Sequence, residues 1–365
     1  MIRVLQLPDT IERRNGRMSV IMNVYRKIDR KKLQFDFLCT KGSSEDYKQE
    51  ILDLGGHVYY LSPDQMSLRM IKVAVNNCLS NTDYSFIHYH AISKWGIALN
   101  VAKKYGVPTI VHSHATTLSD NPLKSIRNRL FSVNVFFANK KVAVSPEAGR
   151  RLFMSNDFEY IPNMINYSSF SYSTDNRKRI RAKLNVSDDE ALIGVVGRIS
   201  KQKNQQYALK ALSALTQSNQ SQKYRLVFIG DDSTPDKTFL NTLKTQAKEL
   251  HLESQILFTG MVSNVNQYYS ALDIMWMPSL FEGLPTAAVE AQSNGLFVLL
   301  SDKITKSTDI TGSVKFLAIN KDSVPLWAKE TVSHSGHRNK QAISIISKSA
   351  FNEKSVVSQW LDLYR

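Results

Sequence analysis

Pro278-Ser279-Leu280-Phe281-Glu282-Gly283-Leu284-Pro285-Thr286-Ala287-Ala288-Val289-Glu290 is the stretch on which the reading of this 365-residue chain turns. It follows Asp273-Ile274-Met275-Trp276-Met277, an apolar run too short for a helix and suited to a buried strand. Gly283 and Pro285 break the pattern. Thr286 to Asn294 has helical composition, and Gly295 supplies the left-handed residue that ends a helix. Leu296-Phe297-Val298-Leu299-Leu300 reads as the next strand. Strand, glycine loop, short helix and strand together place a loop at the carboxyl edge of a parallel sheet.

Such a loop can bind an anion or a sugar. Backbone N–H groups of Gly283, Leu284, Thr286 and Ala287, with Pro285 between them contributing none, come at a helix start, where unpaired donors and the helix dipole favour negative charge or hydroxyl oxygens. Glu282 lies in the loop and Glu290 on the second helical turn, so the two carboxylates would touch different parts of one elongated ligand. An arbitrary pair of glutamates is more often a cap and a solvated helix residue. The intervening Gly-Leu-Pro and the flanking strands favour the functional reading here.

Outward from this unit, the same rhythm repeats. Strands are expected at Ala191–Val196, Leu226–Ile229, Ile256–Phe258, Asp273–Met277 and Leu296–Leu300, and an earlier series at Ile2–Leu7, Leu33–Leu38, His57–Leu61, Phe86–Tyr89, Thr109–Val111 and Val142–Val144. Helical patterns fall near 17–29, 67–80, 93–104 and 123–137. The alternation predicts an α/β protein with two doubly wound, Rossmann-like parallel sheets. Domains are expected at 1–170 and 187–351, joined through the polar, basic stretch Asn163–Asp189. Helices are expected at 338–350 and 352–364.

Composition adds bounds. The length suits two domains, each able to bury a core. No run approaches the roughly 18 apolar residues of a membrane span, and the N-terminus reads as a strand rather than a signal peptide. Cys39 and Cys78 have no ligand-like spacing, and a reduced cytosol is expected. Of the net +15, residues 1–186 carry +13, which asks for a negatively charged partner on that half: nucleic acid, an anionic membrane surface or a pyrophosphate-linked lipid.

Strand Ala191–Val196 runs into Gly197-Arg198-Ile199-Ser200-Lys201-Gln202-Lys203-Asn204. Gly197 permits close backbone approach, and Arg198 and Lys203 offer a guanidinium and an ammonium suited to a diphosphate. Asp231-Asp232 and Asp188-Asp189-Glu190 do not form an Asp-x-Asp metal motif, and no metal or other cofactor is expected.

The Glu282–Glu290 spacing resembles the Glu-x7-Glu signature of the family-4 retaining glycosyltransferases of the GT-B fold, most closely those that build bacterial capsular and exopolysaccharides. The resemblance runs from about residue 2 to the C-terminus and is strongest over 191–302. It implies two Rossmann-like domains facing a central cleft, with the helix at 352–365 packing back on the first. It also implies roles. Arg198 and Lys203 would hold the nucleotide diphosphate and stabilise it on departure; Glu290 would bind the ribose; and Glu282, with the Gly283 and Leu284 amides, would bind the donor sugar. Gly260 and Met261 fall at the strand end that meets the base, and Ser279 and Thr286 are further phosphate or sugar contacts. His114, in Ile110-Val111-His112-Ser113-His114-Ala115, matches the histidine that faces the sugar. His88 and His90 are read as structural, although His90 could line the cleft.

Two positions depart from the family. Asn15-Gly16-Arg17-Met18 stands where Gly-Gly and then Glu are usual, and Ser307 where Glu is frequent. Asn tolerates left-handed backbone, so the turn at Asn15-Gly16 is expected to persist. Leu123–Ala138 mixes Lys124, Arg127 and Arg129 with Leu130, Phe131, Val133, Val135, Phe136 and Phe137. That mixture suits either an ordinary domain helix or a surface resting on anionic lipid. The resulting expectation is a cytoplasmic enzyme, peripheral on the inner membrane face. It would transfer a sugar from a nucleotide-sugar donor, expected to be uridine-linked, to a lipid-linked glycan. The alternative is a catalytically silent nucleotide-sugar-binding or nucleic-acid-binding module. No stacking-aromatic or helix-turn-helix pattern supports nucleic acid.

Overall fold

The computed structural model describes residues 1–13, 15–41, 45–62, 67–90, 93–114, 132–219 and 221–365. They form two compact units, Met1–Ile165 together with Ala350–Arg365, and Asn166–Ser349.

In the first unit β1 (Ile2–Leu7), β2 (Leu33–Thr40), β3 (Val58–Leu61), β4 (Phe86–Tyr89), β5 (Thr109–Ser113), β6 (Lys140–Ala143) and β7 (Glu159–Tyr160) make one parallel sheet. Their order is β3-β2-β1-β4-β5-β6-β7. β2 is buried at seven of its eight positions, as a strand covered on both faces must be. Leu5, Leu7 and Leu38 pack with residues of helices Leu68–Asn81 and Ile97–Lys104. Val4, Phe35 and Phe37 pack with helix Gly16–Tyr25 and the terminal helix Glu353–Leu363, whose Val356, Trp360 and Leu363 are buried. Asn352 caps that terminal helix by accepting from the Ser355 amide at 3.2 Å.

The second unit contains β8 (Glu190–Val196), β9 (Lys223–Ile229), β10 (Ile256–Phe258), β11 (Ile274–Met277), β12 (Val298–Ser301) and β13 (Val314–Leu317), all parallel, in the order β10-β9-β8-β11-β12-β13. Outward from its first strand each sheet reverses direction once, beside β1 in one and beside β8 in the other. At such a reversal the loops leave to opposite sides and open a crevice above the carboxyl ends of the strands.

Several elements were not legible in the pattern. β7 is two exposed residues with no apolar signal, and β13 is mostly part-exposed. Helix Lys48–Asp53 buries only Ile51, while Pro146–Phe153 and Val324–His334 begin with proline near the first turn. The stretch Asn163–Asp189, read as a polar connection, contains helix Thr174–Lys183. Its charges divide by face. Lys178 and Arg179 are exposed, whereas Arg177 and Arg181, four residues apart, reach inward to Asp273 at 2.7 and 3.1 Å. Asp273 also accepts from the Leu192 amide at 2.7 Å. The basic run is thus part of the second unit's framework.

Removing Asp273 takes the buried counter-charge from two inward guanidinium groups, leaving Arg181 only the exposed Asp188 at 3.8 Å. Asp273→Ala is expected to destabilise the protein by about 3–5 kcal/mol. Urea denaturation checks this, and a loss below 1 kcal/mol on that scale would show that the cluster is not a framework element.

Candidate active site

Gly197, at the end of β8, has φ +134°, and a Cβ there would meet the Lys203 side chain at 3.1 Å. The neighbouring strand end is as tight: a Cβ on Gly230, φ +140°, would lie 2.2 Å from the Gly197 carbonyl oxygen. Gly260, φ +66°, accepts from the Gly230 amide at 3.0 Å. Bare α-carbons therefore line the carboxyl ends of β8, β9 and β10, and Lys203 lies against the first of them. Its Nζ reaches Glu282 Oε1 at 2.6 Å, with both side chains largely buried.

The loop after β11 is tied to the loop after β8. The Leu280 amide donates to the Gln202 carbonyl at 2.8 Å, the Gln202 side chain donates to the Phe281 carbonyl at 3.0 Å, and Asn204 Nδ2 donates to the Pro278 carbonyl at 3.1 Å. Gln205, buried, donates to the Arg198 carbonyl at 2.8 Å and accepts from the Ser200 amide at 3.3 Å. None of Gln202, Asn204 or Gln205 was singled out from sequence, because a loop-to-loop bond has no periodic signature. Ser279 is fully buried and its hydroxyl has no partner among the described residues.

Helix Thr286–Ser293 starts after Pro285 without a side-chain cap, which leaves its first-turn amides to other acceptors. Glu290, on its second turn, accepts from the Tyr269 hydroxyl at 2.8 Å, and Tyr269 also meets the Ala287 carbonyl at 3.3 Å. Desolvation pushes the Glu290 carboxyl up to about 7, opposed by the Tyr269 hydrogen bond and the Lys203 charge. Arg198 belongs to the same loop but is exposed and makes no ion pair among the described residues. Gly283, Leu284 and Pro285 are buried beside Glu282, Thr286 is half-buried, and Met261 is exposed at the end of β10. The structure therefore joins Lys203 to Glu282 directly and sets Glu290 within reach of the same charge. It adds Tyr269, which sequence reasoning missed.

Asp231 and Asp232 serve local structure. Asp232 accepts from the Thr234 and Leu240 amides at 2.9 and 3.0 Å, and Asp231 pairs with Lys237 at 2.7 Å.

In the first unit, Asn15 has extended backbone and caps helix Gly16–Tyr25 by accepting from the Arg17 amide at 3.0 Å. The turn persists through capping, not through the left-handed conformation expected of Asn15. Met18 is fully buried in the core and Ser307 bonds Thr305, so neither offers what a glutamate would. Arg17 donates to the His90 carbonyl at 3.2 Å and pairs with Asp9 at 3.5 Å. His90 Nδ1 lies 3.0 Å from His114 Nε2, a contact the sequence did not disclose. Most of the basic stretch Leu123–Ala138 lies outside the described residues. Its described end is a 3-10 helix, Ser132–Phe137, with Val133, Phe136 and Phe137 exposed.

Residues 176–323 match the family described as glycosyl transferases group 1. The EpsF glycosyltransferase of Bacillus subtilis strain 168 is 30% identical over 331 residues, spanning 87% of this chain and 83% of its own. This chain belongs to the group 1 glycosyltransferases. An Escherichia coli relative, UDP-Gal:alpha-D-GlcNAc-diphosphoundecaprenol alpha-1,3-galactosyltransferase, is 23% identical over 79% of this chain and 76% of its own. Among solved structures, Anabaena HepE in complex with UDP-glucose superposes with a TM-score of 0.82 at 15% identity, covering 100% of this glycosyltransferase and 99% of HepE. That likeness speaks to the fold, which is GT-B.

The raised carboxyl has a thermodynamic consequence. Glu290 holds its proton more tightly folded than unfolded, so its contribution to stability is complete below the ordinary carboxyl range and is lost as pH rises through about 7. Melting temperatures of wild type and Glu290→Gln across this window should diverge as pH rises, with the wild type falling relative to the variant. Parallel curves would place the Glu290 carboxyl at its ordinary value.

Proposed function

We propose that this glycosyltransferase moves a sugar, with retention of anomeric configuration, from a uridine diphosphate donor to a lipid-linked glycan in surface polysaccharide assembly. The observation that carries the reading is the Lys203–Glu282 ion pair with Glu290 and Tyr269 beside it, at the strand reversal next to an uncapped helix start. A departing nucleoside diphosphate gains charge, and catalysis requires groups already aimed at that charge. Lys203 and Arg198 supply it, aided by the first-turn amides at Thr286. Glu282 accepts sugar hydroxyls with the Gly283 and Leu284 amides nearby, and Glu290, when ionised, accepts the ribose hydroxyls. Gly260 and Met261 border the base. His114 in the first unit is the sugar-contacting histidine, on the turn side that also carries Asn15 and Gly16.

Retention follows here from front-face attack, with the departing phosphate taking the acceptor's proton, since no carboxylate is assigned as a covalent nucleophile. With Lys203 held at the strand end and Arg198 on the same loop supplying positive charge, the reaction needs no divalent metal. A uridine-linked donor is supported by the printed substrate of the Escherichia coli relative and by UDP-glucose in HepE, and a lipid-linked acceptor by the diphosphoundecaprenol in the former's name. The second reading, a nucleotide-sugar-binding module without transfer, differs in one outcome: binding without release of nucleoside diphosphate.

Incubation with a panel of nucleotide sugars and an extract of lipid-linked acceptor should release free nucleoside diphosphate. Glu282→Ala and Arg198→Ala should each lower kcat by about 10²–10³-fold. A chelator should leave the rate unchanged. Loss of turnover with chelator, or a product of inverted configuration by proton NMR, would overturn those two parts of the proposal.

We also propose that the enzyme works at the inner membrane face. No helix of the described residues is long and apolar enough to cross a membrane. Val133, Phe136 and Phe137 are exposed beside a basic stretch of sequence, and apolar contact plus anionic attraction is how a protein rests on lipid. Vesicles containing phosphatidylglycerol should sediment the wild type, and Phe136→Ser/Phe137→Ser should reduce the bound fraction severalfold. Equal binding of both would locate the contact elsewhere.

A further inference from the structure

Four of the chain's eight histidines, His88, His90, His112 and His114, come from the carboxyl ends of β4 and β5. Alternate residues of a strand share a face, so each pair points the same way. Gln6 of β1 stands beside His88 in the sheet register. Trp360 and Tyr364, at the end of the terminal helix, cover the group: the Trp360 ring lies 5.9 Å from that of His90 at 14°.

Ring nitrogens of His88, His90 and His112 come within 4.8 Å of one another, a grouping that could suggest a metal-ligand set. The rings argue otherwise. His88 stacks on His90 at 4.0 Å and 26°, and His112 on His114 at 4.3 Å and 28°. Nitrogen lone pairs lie in the ring plane, so stacked rings hold theirs in near-parallel planes and do not aim them at a common point between the rings. Both nitrogens of His90 are also engaged already. The arrangement is a proton-ordered chain instead.

Its order can be followed atom by atom. The Gln6 amide nitrogen donates to the Tyr364 hydroxyl at 3.2 Å, which places the Gln6 carbonyl oxygen on His90 Nε2 at 2.7 Å. A carbonyl oxygen only accepts, so Nε2 carries the His90 proton. Burial holds His90 and His114 well below the usual imidazole range, so both rings are neutral. A neutral ring protonated at Nε2 has a bare Nδ1, and His90 Nδ1 accepts from His114 Nε2 at 3.0 Å. That bond consumes the only proton of His114. The Tyr364 hydroxyl, accepting from Gln6, donates in turn to His88 Nδ1 at 2.6 Å.

We propose that Gln6 and His90 are positioning residues that lock His114 as a neutral imidazole protonated at Nε2, leaving Nδ1 as a hydrogen-bond acceptor. The consequence for catalysis rests on the reading of His114 as a sugar contact. A bare Nδ1 takes a hydroxyl hydrogen and repels a carboxylate or phosphate oxygen. The sugar met by His114 therefore presents a free hydroxyl at that point. Gln6 and His90 touch no substrate and act only through the form they impose.

Protein labelled with ¹⁵N in its histidines tests this directly, with the His114 signal assigned by its absence in His114→Gln. At neutral pH the wild type should show a protonated Nε2 and a pyridine-like Nδ1 at His114. In His90→Phe the preference should collapse into an exchange-averaged pair, and in Gln6→Leu it should weaken in the same direction. A His114 protonated at Nδ1 or at both nitrogens in the wild type overturns the proposal without any variant. So does an unchanged His114 signal in a folded His90→Phe. Turnover in His90→Phe should fall by up to about a hundredfold, the scale of a misplaced contact. The spectra need no donor, so an inactive wild type with the locked tautomer would count against the proposed transfer reaction and leave this inference standing.

Discussion

Lys203 packs against the end of β8, where a φ of +134° at Gly197 favours a residue without a side chain. A Cβ at Gly197 would press on the lysine stem, and one at Gly230 would strike the Gly197 carbonyl. The contact fixes the ammonium at the strand end, from which it reaches Glu282 on a loop 79 residues further along the chain. The Gln202, Asn204 and Gln205 side chains then make the placement rigid by bonding backbone carbonyls on their own loop and the next.

Two different polar systems result, one in each unit. In the second, charge is concentrated: an ion pair, a protonatable carboxylate and an uncapped helix start occupy one sheet edge, and burial strengthens each against solvent. In the first, charge is removed. Four imidazoles are held neutral by burial, and direction is supplied by hydrogen bonds that order their protons. An ion is well handled by opposite charge, whereas a sugar hydroxyl needs an acceptor of known orientation.

Much of the fold could be read from residue pattern because the decisive strands are apolar throughout. β2, β8 and β11 are covered on both faces, and runs such as Ile274-Met275-Trp276-Met277 admit no other reading. Elements with little burial escaped: β7 is two exposed residues, and β13 lies at a sheet edge. The helix Thr174–Lys183 escaped for another reason. Its arginines look like a solvated run until Asp273 is known to lie behind two of them. Asn15 shows the limit of residue preference, since it holds its turn by capping an amide and not by adopting the backbone its type tolerates.

By itself the sequence determined the two parallel sheets, the loops at their carboxyl ends, and which charged residues those loops carry, because periodicity and glycine placement are local properties. Tertiary structure alone decided the partners: Lys203 with Glu282, Tyr269 with Glu290, Asp273 with two arginines, and Gln6 with His90 and Tyr364. Each joins residues distant in the chain, and a hydrogen bond of about 3 Å depends on the register of strands and helices that no single segment encodes.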